Sequence, residues 1–185
     1  MHIFLICGYA GSGKTTFGSM LCAHLSEKGA AATTASIAFG DAVKDEVATI
    51  YNVNRSLCDT QEGKKTCIGG EGTPTIRDLL ILHSAQRKVE FTPAYWAEIV
   101  AKKIQANAFV ENWIIHDWRY MAEIETMISA FPHADIHTIR VRRKGIVPLT
   151  DPSEHQLDLY ETQVIVDNDG ALKQMTPILE TLVYM

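Results

Sequence analysis

The chain has 185 residues, 46% apolar and 21% charged, with a net charge of −5; this suits one domain with a sizeable core and leaves too little chain for two. The mildly acidic balance argues against a nucleic-acid polymer or an anionic membrane as partner, although a local cluster of donors can still hold a small anion. No apolar run approaches the about 18 residues of a membrane span, and the opening MHIFLIC lacks the basic stretch and cleavage site of a signal peptide. The four cysteines, Cys7, Cys22, Cys58 and Cys67, include no C-x-x-C pair and read as free thiols of a reducing compartment, so a cytoplasmic protein is expected.

Residues 2–7, HIFLIC, form a nearly continuous apolar run, the pattern of a buried parallel strand. A glycine-rich stretch follows, and then Phe17, Met20, Leu21 and Leu25 recur at helical spacing until Gly29 stops the helix. Residues 32–39 read as a second strand. Residues 41–51 read as a helix capped by Asp41, with Val43, Val47 and Ile50 on one face. Residues 52–74 are polar and glycine-rich and are expected to form a mobile excursion. Helices are predicted over 75–88 and over 92–105, the latter with Thr92 as cap and Pro93 in the first position. A third strand is expected over 112–119, a helix over 121–131 ending at Pro132, and an alternating strand over 135–142. A polar loop then leads to a fifth strand over 162–170 and a closing helix in which Pro177 marks a kink or a late start.

Strands alternating with helices imply an α/β fold: a parallel sheet covered on both faces, in a single domain spanning 1–185. Ligands of such sheets sit beyond the carboxyl ends of the strands. That architecture singles out residues 8–15, 39–44, 117–119, 140–143 and 168–170.

GYAGSGKT fits the phosphate-loop pattern G-x-x-x-x-G-K-[ST] through Gly8, Gly13, Lys14 and Thr15. Backbone N–H groups must turn inward around phosphate oxygens, and glycine permits the dihedrals this requires. Lys14 then reaches the β- and γ-phosphates, Thr15 ligates Mg²⁺, and the following helix adds its positive end. Asp117 ends a buried strand, where a carboxylate suits a Mg²⁺-water contact or orientation of an attacking oxygen. Arg119, two residues on, projects to the same side if the strand continues; the pair suits a second phosphate group or a structural ion pair. Arg140, Arg142, Arg143 and Lys144 lie where a Gly/Pro-containing loop begins, the place for a lid (about 142–160) whose arginines neutralise charge during transfer. Nothing in the sequence chooses between Arg142 and Arg143. His155 reads as a solvated loop residue or a substrate contact. Arg77 opens a helix as a surface charge or an anion contact, and Tyr95 and Trp96 read as core aromatics or as a base-stacking surface.

Taken together, these segments resemble the deoxynucleoside monophosphate kinases of the P-loop class found in T-even phages. GYAGSGKTT resembles that family's phosphate loop, and FGDAVKDEV its helix after the second strand. TIRDLLILHSAQ and TPAYWAEIV resemble its arginine-bearing and Tyr-Trp helices. IIHDWRYMAEIE resembles its D-x-R strand end, and VIVDNDGALKQM its closing strand and N-D-G turn. The resemblance implies a P-loop NTPase core of strand order 2-3-1-4-5 that uses ATP and Mg²⁺. It implies ATP contacts from Gly8, Ala10, Gly11, Ser12, Gly13, Lys14, Thr15, Thr16, Arg140, Asn168 and Gly170, with Thr15 and Asp117 at the metal. It implies an acceptor region over about 40–106, with Lys44 and Arg77 at the acceptor phosphate and Tyr95 and Trp96 along the pocket. Lys14, Asp117, Arg119 and Arg142 or Arg143 would be catalytic, with Arg119 between the two phosphates. The partners implied are small nucleotides, with self-association into a homodimer left open, in the cytoplasm of the cell or of a viral host. The chain departs from the family in having Thr15 where Asp often follows the lysine, and in being shorter before residue 75. Other small-molecule P-loop kinases differ only in the acceptor: adenylate, dephospho-coenzyme A or phosphomevalonate kinases. A GTPase-like switch lacks support, because no N-K-x-D guanine reader is present.

Overall fold

The computed structural model describes residues 1–28, 33–169 and 176–183. The chain divides into two compact units, one of residues 1–38 and 101–185 and the other of residues 39–100.

The first unit holds a five-stranded parallel sheet: β1 (His2–Cys7), β2 (Thr34–Ile37), β3 (Asn112–Ile115), β4 (Asp135–Arg142) and β5 (Val164–Asp167). Their spatial order is β2-β3-β1-β4-β5, the order expected. β1 lies between β3 and β4, with His2 opposite both Asn112 and Asp135. It is fully enclosed, which explains its unbroken apolar sequence. Alternate β1 residues Phe4 and Ile6 join Phe17, Leu21, Leu25, Ile114, Val166 and Leu179 in one buried cluster. That cluster covers one face of the sheet with α1 (Lys14–Lys28) and the last helix, Thr176–Val183. Ile3 and Leu5 point to the opposite face, where Ile115 and Met127 of the helix Met121–Ala130 are also buried.

The second unit is helical: α2 (Phe39–Ile50), α3 (Gln61–Lys64), α4 (Ile76–Glu90) and the start of α5 (Tyr95–Gln105). The helices of the first unit that follow are α6 (Met121–Ala130) and α7 (Thr176–Val183). Phe39, Val43 and Val47 are buried along α2, and Ile76, His83 and Trp96 are buried on α4 and α5. Thr75 caps α4 with a reciprocal box: its hydroxyl accepts the Asp78 N–H, and the Asp78 carboxylate accepts the Thr75 N–H.

Several boundaries differ from those expected. β2 and β3 stop at Ile37 and Ile115, so Asp117 and Arg119 lie beyond the strand, not within it. α5 begins at Tyr95, where the Tyr95 N–H reaches the Thr92 carbonyl, so Pro93 precedes the helix. Residues 52–74 carry structure of their own. A 3-10 turn, Arg55–Cys58, is capped by Asn54, α3 is capped by Thr60, and Cys67 bridges Thr75 in antiparallel fashion. Polar caps and turns replace apolar periodicity there, which hides these elements from a reading of apolar pattern and makes the stretch read as a mobile excursion. All four cysteines are free. No helix among the described residues is long and apolar enough to cross a membrane.

Candidate functional site

β1 delivers the chain at Cys7 into a loop that closes onto α1 at Lys14. Gly8, Gly11 and Gly13 hold φ values of 139°, 79° and 99°, a region that side chains resist. A Cβ on Gly8 would stand 2.2 Å from the Val141 carbonyl oxygen, and one on Gly13 would stand 2.3 Å from Asn168 Nδ2. The Asn168 amide donates to the Ser12 carbonyl at 2.8 Å, and the Asn168 N–H donates to the Arg142 carbonyl. Asn168 therefore fastens the loop to the ends of β4 and β5. Gly170, also expected at the nucleotide, lies outside the described residues.

Lys14 Nζ curls back over its own loop and donates to the carbonyls of Gly8 (2.6 Å) and Tyr9 (2.9 Å). Burial lowers its pKa below the ordinary lysine value, and the nearby Arg119 charge adds to the effect, against the pull of Glu154 and Asp117. Thr15 and Thr16 are exposed on the first turn of α1. The Ser12 hydroxyl is buried and hydrogen-bonds to nothing among the described residues. An inward-turned loop with a lysine across it and an orphaned hydroxyl fits a polyphosphate. Thr15 and Asp117 fit Mg²⁺, which takes one or two protein oxygens and fills its remaining positions with water and phosphate oxygens. No cluster of three metal-ligating side chains occurs among the described residues.

Arg119 follows Trp118, whose N–H binds the Ile6 carbonyl and whose indole donates to Tyr120. The Glu123 carboxylate accepts the N–H groups of both Arg119 and Tyr120, which fixes the turn into α6. The Arg119 guanidinium donates to Ser153 Oγ (3.1 Å) and to Glu154 Oε1 (2.6 Å). The other oxygen of Glu154 accepts the Ala10 N–H at 2.6 Å. Its side chain is only 1% exposed. Sequence reasoning missed Glu154. Its one local signal is the Asp151-capped 3-10 turn Pro152–Glu154, which says nothing about a partner 144 residues away.

Arg140, expected at ATP, donates to the carbonyls of Leu157 and Tyr160 and holds the segment that carries Glu154. Tyr9 donates to Asp158, which also pairs with His155 at 2.8 Å. Arg142 and Arg143 are exposed, and no ion pair involves them among the described residues. A cavity of about 300 Å³ brings Gly8, Tyr9, Ser12, Arg140, Arg142 and Arg143 to one opening.

In the second unit, Lys44 donates to Asp41 (2.9 Å) and Asp59 (3.1 Å). Arg55 joins the same aspartates and Asp45. Arg77 donates to the neutral Gln61 side-chain oxygen at 2.6 Å. Lys64 is held below the ordinary lysine pKa by burial, then by the Lys44 and Arg77 charges. Trp96 is buried, with its indole N–H on the Ser84 carbonyl. Tyr95 stacks on Phe91 with ring centroids 4.9 Å apart, its hydroxyl 3.4 Å from Glu46.

No family model matches the chain, and no curated protein matches it. Among solved structures, the Mycobacterium tuberculosis APS kinase CysC Cys556Ala mutant superposes with a TM-score of 0.54 at 11% identity, over 100% of this chain and 97% of that one. An unliganded sugar kinase from Janibacter sp. HTCC2649 gives a TM-score of 0.47 at 16% identity, over 98% and 93% of the two chains. The chain thus has a three-layer α/β/α fold with strand order 2-3-1-4-5, a fold it shares with that APS kinase structure.

Proposed function

We propose that the chain is a kinase that moves the γ-phosphoryl group of ATP onto a deoxynucleoside 5′-monophosphate, giving the diphosphate and ADP. The observation that carries the reading is the set of donors at the carboxyl ends of β1, β3 and β4. There a positive-φ loop, Lys14 laid across it, and Arg119 reaching the same carboxylate as the Ala10 N–H form a site for a polyanion. An acceptor phosphate oxygen forms the new bond to the γ-phosphorus as the bond to the β,γ-bridging oxygen breaks. The transition state of such a transfer is loose, so the protein's work is positioning and charge neutralisation.

Lys14 swings from its carbonyls to the β- and γ-phosphates, and the loop N–H groups hold the rest. Thr15 and Asp117 would hold Mg²⁺, which would supply neutralisation of phosphate charge. Arg119 lies between donor and acceptor phosphates, and Arg142 or Arg143 comes from the lid. On the acceptor side, Arg77 meets the monophosphate, Lys44 stays paired with Asp41 and Asp59 beside it, Tyr95 lines the pocket, and Trp96 supports Tyr95 from the core.

ADP release measured with dAMP, dCMP, dGMP, dTMP and their ribo forms tests the reading. Stimulation by one or more monophosphates supports it, and a flat panel overturns it. The architecture shared with an APS kinase supports a second reading, a different small-molecule acceptor, so adenosine 5′-phosphosulfate belongs in the same panel.

A further inference from the structure

Glu154 does not fit the role of a simple structural brace. A buried carboxylate needs compensating donors. Glu154 takes one from a backbone N–H of the phosphate loop and one from Arg119. Both are groups that an anionic ligand of this loop would itself recruit. Lys14 feels the same carboxylate as a nearby negative charge. Ala10 lies in the first half of the loop, four residues before α1 begins at Lys14. The groups around Glu154 are therefore donors open to the far end of a polyphosphate whose near end lies at the α1 amino terminus.

The carboxylate is carried on a segment tethered by a few named contacts, with Leu157 buried and Tyr160 edge-on to Trp118. Arg140 grips the carbonyls of Leu157 and Tyr160, Tyr9 grips Asp158, and Ser153 shares Arg119 with Glu154. The three residues of the turn, Pro152–Glu154, start at the Asp151 cap. Upstream of this tethered segment, Val147 and Leu149 are exposed.

We infer that Glu154 is a specificity-determining stand-in for the terminal phosphate: its carboxylate neutralises Ala10 N–H and Arg119 in the nucleotide-free protein and must leave when a triphosphate binds. This rests on the phosphoryl-transfer reading and deepens it. A triphosphate brings an oxyanion that replaces the carboxylate on both donors, and two like charges do not share them. A diphosphate lacks that outer anion, so Glu154 keeps its place. The segment 151–160 then opens with ATP and returns after transfer, when only ADP remains.

The test compares wild type with Glu154→Gln by calorimetry, using β,γ-imido-ATP, ADP and inorganic tripolyphosphate. The amide keeps the size of the side chain and removes its charge. The expected result is about tenfold tighter binding of both triphosphates to the variant, with ADP changed by less than about threefold. Equal or weaker triphosphate binding by a folded variant overturns the assignment and leaves the kinase reading standing. Failure of wild type and variant to bind any of the three probes overturns both. Should the variant unfold, a crystal structure of wild type with β,γ-imido-ATP decides. The inference expects the Glu154 carboxylate away from the Ala10 N–H, and a retained hydrogen bond there overturns it.

Discussion

Lys14 and Lys44 are both half-buried lysines, Lys14 at the first position of α1 and Lys44 in the second turn of α2, and they are held in opposite ways. Lys14 rests on two backbone carbonyls. Lys44 rests on two carboxylates. Burial lowers the pKa of Lys14 and Arg119 adds to that, so its charge lacks a full partner. Burial works against Lys44 as well, but its bonds to Asp41 and Asp59 outweigh burial and raise its pKa. Carbonyls release a lysine to an arriving phosphate without leaving an uncompensated charge, whereas aspartates do not. Motif position is therefore a weaker guide than the partner that holds the cation at rest. The phosphate loop is set up for an anion. In the second unit, Lys44 and Arg55 are already neutralised by aspartates, whereas Arg77 meets a neutral oxygen and Lys64 is held below the ordinary lysine pKa.

The largest expected effect tests the first half of that contrast. Lys14→Ala should lower turnover about 10³-fold, as expected for loss of a charge that acts mainly in the transition state, while the thermal midpoint stays within a few degrees. Coupled ADP release and a melting curve measure the two quantities. Lys44→Ala serves as its counterpart. It should lower turnover far less and instead lower the midpoint, because it leaves Asp41 and Asp59 with one cation fewer.

Gly13→Ala probes the geometry of the loop. The new Cβ needs a positive φ and meets the Asn168 amide at 2.3 Å. Strain of this kind is of order 1–3 kcal/mol, which, if it falls on the bound loop, weakens nucleotide binding by about fivefold to 150-fold. Asn168→Ala in the same background should recover part of the loss by removing the colliding amide. Calorimetric titration with ATP checks both variants.

Much of this contrast was legible in the residues. The run HIFLIC, the eight residues GYAGSGKT and the helix after them form one contiguous unit, in which local dihedral and periodicity rules suffice. The strand order also agreed with that implied by the family resemblance. Glu154 was not legible as a partner of the loop, because it reaches Ala10 from 144 residues away and nothing near it in sequence encodes the meeting, whereas Arg119 and Asn168 stood out by their place after strands. Arg140 looks like a ligand-facing arginine at a strand end, yet it holds two carbonyls of its own unit. Trp96 carried two readings, core or stacking surface, that differ only in which neighbours surround the ring. Residues 52–74 hid their caps because Asn54 and Thr60 act through single hydrogen bonds and not through a periodic pattern.

Two substitutions sharpen the acceptor side of the comparison. Arg77→Ala should raise the acceptor KM about tenfold, as loss of one charge-assisted bond predicts, with no change in melting, since its partner Gln61 is neutral. Trp96→Phe should do the reverse. It removes the bond to the Ser84 carbonyl and some packing, destabilising by about 1–2 kcal/mol, and should leave the acceptor KM within about threefold. A rise in KM at unchanged stability would move Trp96 from the core to the pocket wall.

The smallest effect is a pH dependence at the edge of the loop contacts. His155 Nδ1 faces Asp158 and its Nε2 faces the Leu149 carbonyl. Both partners are acceptors, so the ring satisfies both only when protonated. The bond to Asp158 accordingly raises the His155 pKa above its ordinary 6.5. A raised value in the folded protein means that the contribution is complete below pH 6.5 and disappears as pH climbs through the folded value. Because the ring is exposed, the change should be confined to local ordering of residues 149–158 and should weaken with salt. A titration of the His155 ring by NMR should give a midpoint above 6.5, and amide exchange across 149–158 should quicken over the same interval. In His155→Gln that quickening should vanish. An unshifted His155 midpoint would remove the pH-sensitive tether and leave Tyr9 and Arg140 as the contacts that hold this side of the loop.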